Sequence, residues 1–332
     1  MKFVLAPLAG FTDAPFRRMA REGGADLTYT EMVSAAGLAH GSSPTRHLME
    51  TMPGEGPVAL QLFGARESDL AYATEFASRE CAGRFVEINL NAGCPMTKVT
   101  REGAGAKLME NPEKIHRILK AMVGATGLPV TLKTRLGPHP GNINVFEIVD
   151  AAESAGAKGV IVHARCTSQM HGGKVDLERL AEVVKRTRLP VTGNGSVTDG
   201  RTAAAMAATG VSAIMVGRAA LSDPFIFAKL KGEGKDEPKM RLLERHLGYV
   251  LEFRERLSAA YPGDHIPSVD AYVSVKMHVH LFRYFNGLPG AAAIRARLNS
   301  IRTLSEIHAL LGSNADIPEK FRVLAEGTAE MV

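Results

Sequence analysis

The chain has 332 residues, of which 45% are hydrophobic and 23% are charged, and this is enough apolar material for a large core. Its three cysteines are odd in number and none has CxxC spacing, which disfavours a disulfide framework and a zinc knuckle and favours the reducing cytoplasm. No signal-peptide segment and no long apolar run is present, so we expect no membrane span. The net charge of 40 − 35 = +5 permits a nucleic-acid partner without indicating one.

Short apolar runs recur at regular intervals in the first two thirds of the chain and predict eight β-strands. They lie at 3–7, 27–32, 58–64, 85–90, 129–135, 159–165, 190–195 and 213–218. Helical patterns lie between them at 15–22, part of 34–50, 67–80, 112–125, 145–155, 177–187, 199–209 and 223–231. This alternation predicts a parallel sheet, and eight repeats predict a (β/α)₈ TIM barrel of the α/β class.

The strand signals stop near residue 235, and only helical patterns follow. They cover 240–260, 269–286 and 291–312, and the polar segment 232–238 is a plausible linker. We therefore predict two domains, a catalytic barrel over 1–235 and a small helical domain over 236–332.

Polar residues follow nearly every predicted strand at its C-terminal end, where barrels of this type build their active sites. These residues are Gln61, Asn89, Asn91, Cys94, Lys133, Arg135, His163, Arg165, Asn194, Ser196 and Arg218. Glycine-rich turns after strands 7 and 8 allow backbone N–H groups to approach an anion, and Arg218 adds a full charge. The two turns predict a phosphate site, although the glycines could serve the turns alone.

Two of these side chains have competing interpretations, and the backbone setting of a third can be predicted. Lys133 lies on an apolar strand, where an unpaired ammonium is costly. It either forms a salt bridge with Glu31 or Glu87, or faces an electron-rich ring. His163 is either a core histidine or part of the site. Cys94 precedes Pro95, which keeps it out of helical geometry and places the thiol in a bend where a strand ends.

Seven segments, in order along the chain, resemble the motifs of the tRNA-dihydrouridine synthase family. They are APLAGFTDAPFR (6–17), NLNAGCPMTKVTREGAGAKLM (89–109), PVTLKTRLG (129–137), HARCTSQ (163–169), PVTGNGSV (190–197), IMVGRAAL (214–221) and VKMHVHLFRYFNGLPGAAAIRARLN (275–299). The resemblance implies an FMN-binding (β/α)₈ barrel with a helical RNA-binding domain. It also implies a flavin-dependent oxidoreductase that reduces uridines in tRNA to 5,6-dihydrouridine, with NADPH as the electron donor.

The resemblance assigns roles to individual residues. Cys94 would be the catalytic proton donor. The flavin would be bound by Pro7, Leu8, Ala9, Gln61, Lys133, His163, Asn194, Gly195, Ser196, Gly217 and Arg218. The RNA would be contacted by Lys98, Arg101, Arg165, Lys276, Arg283, Arg295 and Arg297. No metal ligand and no obligate protein partner is implied.

The chemistry explains why a cysteine suits this position. Hydride addition to C6 of uracil leaves carbanion character at C5, which needs a proton from a positioned general acid. A thiol with a pKa of about 8.5 is mostly protonated at neutral pH, so Cys94 should not be strongly activated.

Some features depart from the family pattern or remain open. Ser196 replaces an acidic residue, Cys166 replaces a threonine and His171 replaces an aromatic residue.

The segment 271–305 has five basic residues and no acidic one, which favours an RNA-binding face over an ordinary solvated one. Within it His278 and His280 diverge on a helix and make a poor metal pair. The alternatives are the same chemistry on ribosomal RNA, an FMN barrel that reduces a small molecule, and a non-catalytic RNA-binding protein.

Overall fold

The structure is a computed structural model, and it describes residues 1–234, 236–284 and 301–311. Eight parallel strands form one sheet in the order β1-β8-β7-β6-β5-β4-β3-β2. They are β1 Lys2–Leu5, β2 Thr28–Ser34, β3 Val58–Phe63, β4 Glu87–Ala92, β5 Val130–Arg135, β6 Val160–His163, β7 Val191–Asn194 and β8 Ala213–Val216. A parallel bridge between Val4 and Leu27 joins β1 to the chain entering β2 and closes the ring. The predicted (β/α)₈ barrel is therefore confirmed.

Helices follow the strands around the barrel and continue after it. They are α1 Ala14–Glu22, α2 Ala35–Ala39, α3 Ser43–His47, α4 Glu67–Glu80, α5 Thr97–Thr100, α6 Pro112–Gly124, α7 Val145–Ser154, α8 Leu177–Arg186, α9 Gly200–Ala207, α10 Arg218–Ser222, α11 Ile226–Leu230, α12 Lys239–Ala260, α13 Val269–Tyr284 and α14 Leu304–Leu311. The predicted helix at 223–231 is shorter, because Asp223 and Pro224 separate α10 from α11. Residues 291–300 of the last predicted helix lie outside the described part.

Local chemistry explains where the helices begin. The side chain of Asn111 accepts a hydrogen bond from the backbone N–H of Lys114 at 2.9 Å, and Pro112 occupies the first turn of α6. Asp13 caps α1 in the same way through the N–H of Phe16 at 3.2 Å. These caps satisfy donors that a helix leaves unpaired at its start.

The helices after the barrel share a core with its first helix. Leu243, Leu247 and Val273 pack with Met19 of α1 in a cluster distinct from the main barrel core. Arg18 and Glu252 form an ion pair at 3.1 Å across the same contact. The predicted division at residue 235 stays a prediction. In the described ranges, no helix has both the length and the apolar character that crossing a membrane requires.

Candidate active site

A cavity of about 550 Å³ opens at the C-terminal ends of the strands. Thirteen of the residues to which the resemblance assigns a role line its wall: Pro7, Leu8, Ala9, Cys94, Lys133, His163, Arg165, Asn194, Gly195, Ser196, Gly217, Arg218 and Arg283. They come from six strand ends and from α13. The expectation that polar residues converge at this end of the barrel therefore holds in the structure.

The wall of the cavity is strongly cationic. Lys133, Arg135, Arg165, Arg218 and Arg283 all line it, and no acidic side chain of the described residues does. None of the five has a carboxylate within 4 Å in the part of the chain that the structure describes. Such a surface favours a ligand with negative charge, since a low-dielectric cleft lined by one sign of charge concentrates its field.

Lys133 makes a different contact from the predicted salt bridge. Its Nζ donates to Oδ1 of Asn194 at 3.2 Å, while Glu87 accepts from Tyr29 and Thr131. The interpretation of Lys133 as one half of a salt bridge with Glu31 or Glu87 is therefore wrong. Burial, with the nearby Arg135 charge, lowers the pKa of Lys133 to about 7, so its charge responds to what binds in the cavity.

Arg165 lies inside the cavity wall rather than on the outer surface. Its guanidinium donates to the carbonyls of Gly172 and Gly173, at 2.8 and 2.6 Å, and to the hydroxyl of Ser196 at 2.7 Å. His163 lies beside it, and burial, reinforced by the charge of Lys133, lowers the pKa of His163 far below its usual value. His163 is therefore neutral at physiological pH.

The glycine-rich turn after β7 fits closely against its neighbours. Gly195 has φ +127, and a Cβ there would lie 2.8 Å from Val175 and 3.0 Å from the His163 ring. Ser196 also has a positive φ of 53. The helix that follows β8, α10, has only five residues, so its dipole adds little positive charge to the cavity. Arg165 and Arg218 supply the positive charge at this side of the cavity.

The loop that carries Cys94 is held from two sides. Oδ1 of Asn91 accepts from the N–H groups of Gly93 and Cys94 at 3.1 and 3.0 Å, and the carbonyl of Cys94 accepts from Ala106 at 2.9 Å. Gly105 has φ +58, and a Cβ there would lie only 2.7 Å from the Cys94 carbonyl oxygen. A glycine at position 105 therefore allows the two segments to pack this closely.

The Cys94 thiol is kept protonated by its surroundings. Burial raises its pKa above the usual thiol value, although the Met96 N–H and the charges of Arg135 and Lys133 act in the opposite direction. This direction agrees with the expected proton donor and not with an activated nucleophile.

A chain of buried hydrogen bonds extends from Asn91 away from the cavity. Nδ2 of Asn91 donates to Gln61 at 2.8 Å, Gln61 donates to Asn89 at 2.7 Å, and Asn89 donates to Thr131 at 2.7 Å. The Thr131 hydroxyl ends the chain on Glu87 at 2.5 Å. Gln61 is fully buried and does not line the cavity, and both ends of its amide are already hydrogen-bonded to Asn91 and Asn89.

The predicted RNA-binding residues that the structure describes lie in three environments: the exposed surface, the cavity wall and a contact between the barrel and α13. Lys98 and Arg101 are exposed just after Cys94, and Arg283 brings α13 to the cavity wall. Lys276 instead pairs with Asp13 at 3.5 Å between the barrel and α13, which favours a structural role. Arg295 and Arg297 lie outside the described residues.

Two residues of the cavity wall were missed from the sequence: Arg135 was assigned no role, and His171 was noted only because it departs from the family pattern. Arg135 donates to the carbonyl of Gly93 at 2.9 Å and so braces the Cys94 loop. Its spacing from Lys133 was the available signal, because residues two apart on a strand share a face. His171 lines the cavity with its ring 6.2 Å from that of His163.

Comparison with known proteins identifies the family. The family model described as dihydrouridine synthase matches residues 4–321. The chain belongs to the dihydrouridine synthase family. A probable tRNA-dihydrouridine synthase of Rhodobacter capsulatus is 36% identical over 79% of this chain and 81% of the relative. The tRNA-dihydrouridine synthase B of Escherichia coli is 34% identical over 69% of this chain and 71% of the relative.

Solved structures share the barrel at low sequence identity. A variant of NCR from Zymomonas mobilis has a TM-score of 0.50 and 15% identity, covering 71% of this chain and 88% of that chain. A morphinone reductase mutant has the same TM-score and coverage at 14% identity. These two similarities support the barrel fold of this dihydrouridine synthase family member, and they concern the fold alone.

Proposed function

We propose that the protein is an FMN-dependent tRNA-dihydrouridine synthase, which reduces the C5=C6 bond of uridines in tRNA with electrons from NADPH. The observation that carries this proposal is the position of the Cys94 thiol on the wall of a cationic cavity, where burial raises its pKa. The family match and the names of the relatives support the same reaction.

The volume of the cavity and its cationic wall would suit a flavin mononucleotide. Arg165, Arg218 and the Gly195 turn would hold its phosphate, and Lys133 would lie against the ring system. Pro7, Leu8, Ala9, His163, Asn194, Ser196 and Gly217 would complete the contact. When bound, FMN would supply the hydride that adds to C6 of the uracil. Gln61 would act through Asn91, because its amide is already paired.

The protein's own part in the reaction is the proton. Cys94 holds it on Sγ and would deliver it to C5 of the uracil once C6 has been reduced. Asn91 and Arg135 hold the peptide group between Gly93 and Cys94, and the N–H of Ala106 holds the carbonyl of Cys94, so the sulfur is oriented before substrate arrives. The proton then returns to Cys94 from solvent.

The RNA would approach over the rim of the cavity. Lys98 and Arg101 are exposed on α5 and at its end, just after Cys94, and Arg283 approaches from α13, so phosphates on either side of an extruded base could be contacted. Extrusion of the base costs a few kcal/mol, which these contacts would offset.

The test is a direct assay of the reaction. Purified protein with FMN and NADPH is incubated with unmodified tRNA, and dihydrouridine is measured by mass spectrometry of the digested RNA. We expect dihydrouridine with wild type and a loss of about 10²–10⁴-fold in rate with Cys94→Ala, while the flavin spectrum is retained. Full turnover by Cys94→Ala would remove the thiol from the mechanism, and no product from wild type on any tRNA would refute the function.

A further inference from the structure

A second cluster of ligand-type side chains lies between the barrel and the helices that follow it. Asp13 caps α1, His246 lies on α12 and His280 lies on α13. One nitrogen of each histidine and one carboxylate oxygen of Asp13 all lie within 4.8 Å of one another. Three elements distant in sequence thus bring their donor atoms to one point.

Each histidine in the cluster uses one ring nitrogen and leaves the other without a partner. Nδ1 of His246 lies 3.3 Å from the hydroxyl of Tyr284, while its Nε2 is buried with no hydrogen bond. The ring of His280 bonds the backbone of Phe11, while its Nδ1 is likewise unpaired. Both side chains are essentially inaccessible, at 0% and 1% exposure.

This arrangement matches the way proteins prepare a histidine to bind a metal. A ligating imidazole usually donates its other N–H to an oxygen, which fixes the tautomer and leaves a lone pair for the ion. Both rings are buried, and burial favours the neutral imidazole that metals require. Without a ligand, each unpaired buried nitrogen costs roughly 1–3 kcal/mol.

The surroundings fix the cluster in place and give a route to it. The ring of Phe16 stacks on His280 at 4.9 Å, and Asp13 is held by its cap on α1. A crevice of about 180 Å³, lined by Asp13, Tyr272 and Lys276, reaches the carboxylate from the surface. The ammonium of Lys276 lies 3.5 Å from Oδ2 of Asp13 and competes with any cation there.

We propose that Asp13, His246 and His280 bind a divalent ion of the Zn²⁺ type, with water completing its coordination. Two imidazoles and one carboxylate are a donor set that suits Zn²⁺. Ligands of one tetrahedral Zn²⁺ lie roughly 3.4 Å apart, so these side chains would move together by about 1 Å on binding. The ion would tie the start of the barrel to α12 and α13. His278 has no part in it, because its ring packs against Phe282.

The test uses the whole chain with its flavin. The metal content of protein purified without chelator is measured, and chelator-stripped protein is then titrated with Zn²⁺ alone against a chromophoric chelator. We expect one equivalent of Zn²⁺ bound and an increase in melting temperature on its addition, because an ion bound only by the folded state stabilises it. Failure of the stripped wild type to bind one equivalent below about 100 µM Zn²⁺ would overturn the proposal.

Variants locate the site and separate it from adventitious binding. His246→Asn and His280→Asn should each weaken Zn²⁺ affinity by at least about 100-fold, whereas His278→Asn on the same helix should leave it unchanged. Lys276→Met should strengthen it, because a competing positive charge is removed. Binding that persists in both histidine variants, or that weakens in Lys276→Met, would contradict the assignment. Circular dichroism of each variant confirms that it is folded.

Discussion

The side-chain oxygen of Asn91 accepts a hydrogen bond from the backbone N–H of Cys94 at 3.0 Å, so a strand residue holds the loop that carries the thiol. The amide nitrogen of Asn91 begins the chain through Gln61 and Asn89 to Thr131. These residues face one another on neighbouring parallel strands, since Gln61 is in register with Asn89, and Asn89 with Thr131. The orientation of the Cys94 loop therefore depends on groups that never touch the cavity.

The first prediction concerns the far end of this chain. Thr131→Val keeps the shape of the side chain but leaves the amide of Asn89 and the carboxylate of Glu87 each without one partner. We expect a loss of roughly 1–3 kcal/mol in the free energy of unfolding, measured with urea, and a lower rate of dihydrouridine formation. Thr131→Ser is the matched control, because it restores the hydroxyl. If the serine variant is as impaired as the valine variant, the chain has no such role.

The second prediction compares two glycines of one segment. Gly105→Ala places a methyl group 2.7 Å from the carbonyl oxygen of Cys94 at a positive φ, so it should both destabilise the protein and displace the loop. Gly103→Ala has a similar φ of 75 but meets only Ala65 at 3.5 Å, so it should cost only the backbone strain of about 1–2 kcal/mol. The measurement is urea unfolding together with activity. Equal losses of activity in both variants would show that crowding of Cys94 is unimportant.

These contacts show what could be predicted from the sequence and what could not. The barrel could be predicted because short, mostly apolar runs alternate with helical segments eight times, a pattern that local sequence carries. The convergence of Cys94, Lys133 and Arg218 at one end followed from the barrel itself, since every parallel strand ends at the same edge.

What the sequence did not reveal depends on partners distant along the chain. Lys276 was counted as an uncompensated cation because its segment has no acid, yet Asp13 compensates it from the barrel. Gln61 follows the pattern of a cavity residue, yet it is enclosed by Asn89 and Asn91. A pairing of this kind exists only after the fold has brought the two segments together.

The third prediction uses the raised pKa of Cys94. Because burial disfavours the thiolate, alkylation of Cys94 by iodoacetamide should be slow at neutral pH and should keep accelerating above the usual thiol pKa of about 8.5. The modified peptide is quantified by mass spectrometry at several pH values. Cys166 is an internal control, since it is 2% exposed and should react only on unfolding. A rate that levels off below the usual thiol pKa would mean an activated thiolate instead.

The fourth prediction tests the rim of the cavity. Replacing Lys98 and Arg101 together with Glu should weaken tRNA binding and reduce the slope of log affinity against log salt by about 2, with no change in the flavin spectrum. Lys185→Glu with Arg188→Glu is the control, because these exposed residues lie in the last turn of α8 and just after it, at the opposite end of the barrel. The proposed approach of the RNA is refuted if both double variants lose affinity equally.

The fifth prediction concerns Lys133, whose pKa in the folded protein is about 7 against 10.5 for a free lysine. Between these two values the unfolded chain binds more protons than the folded one, so the stability of the flavin-free wild type should rise with pH. Lys133→Met removes the buried charge and should therefore stabilise flavin-free protein by about 1–3 kcal/mol at pH 6, by less at pH 8 and by almost nothing near pH 10.

Urea unfolding of both proteins at the three pH values checks this trend. Thr134→Val, on the same strand but without a titrating group, should give a difference from wild type that does not vary with pH. A gain for Lys133→Met that is constant with pH would mean that the ammonium stays charged in the folded protein throughout this range. In the same variant, bound flavin should also be reduced more slowly, since the cation that we propose lies against the ring would be missing. If Lys133 serves the ligand and not the fold, Lys133→Met should both stabilise the flavin-free protein and slow the reduction of bound flavin.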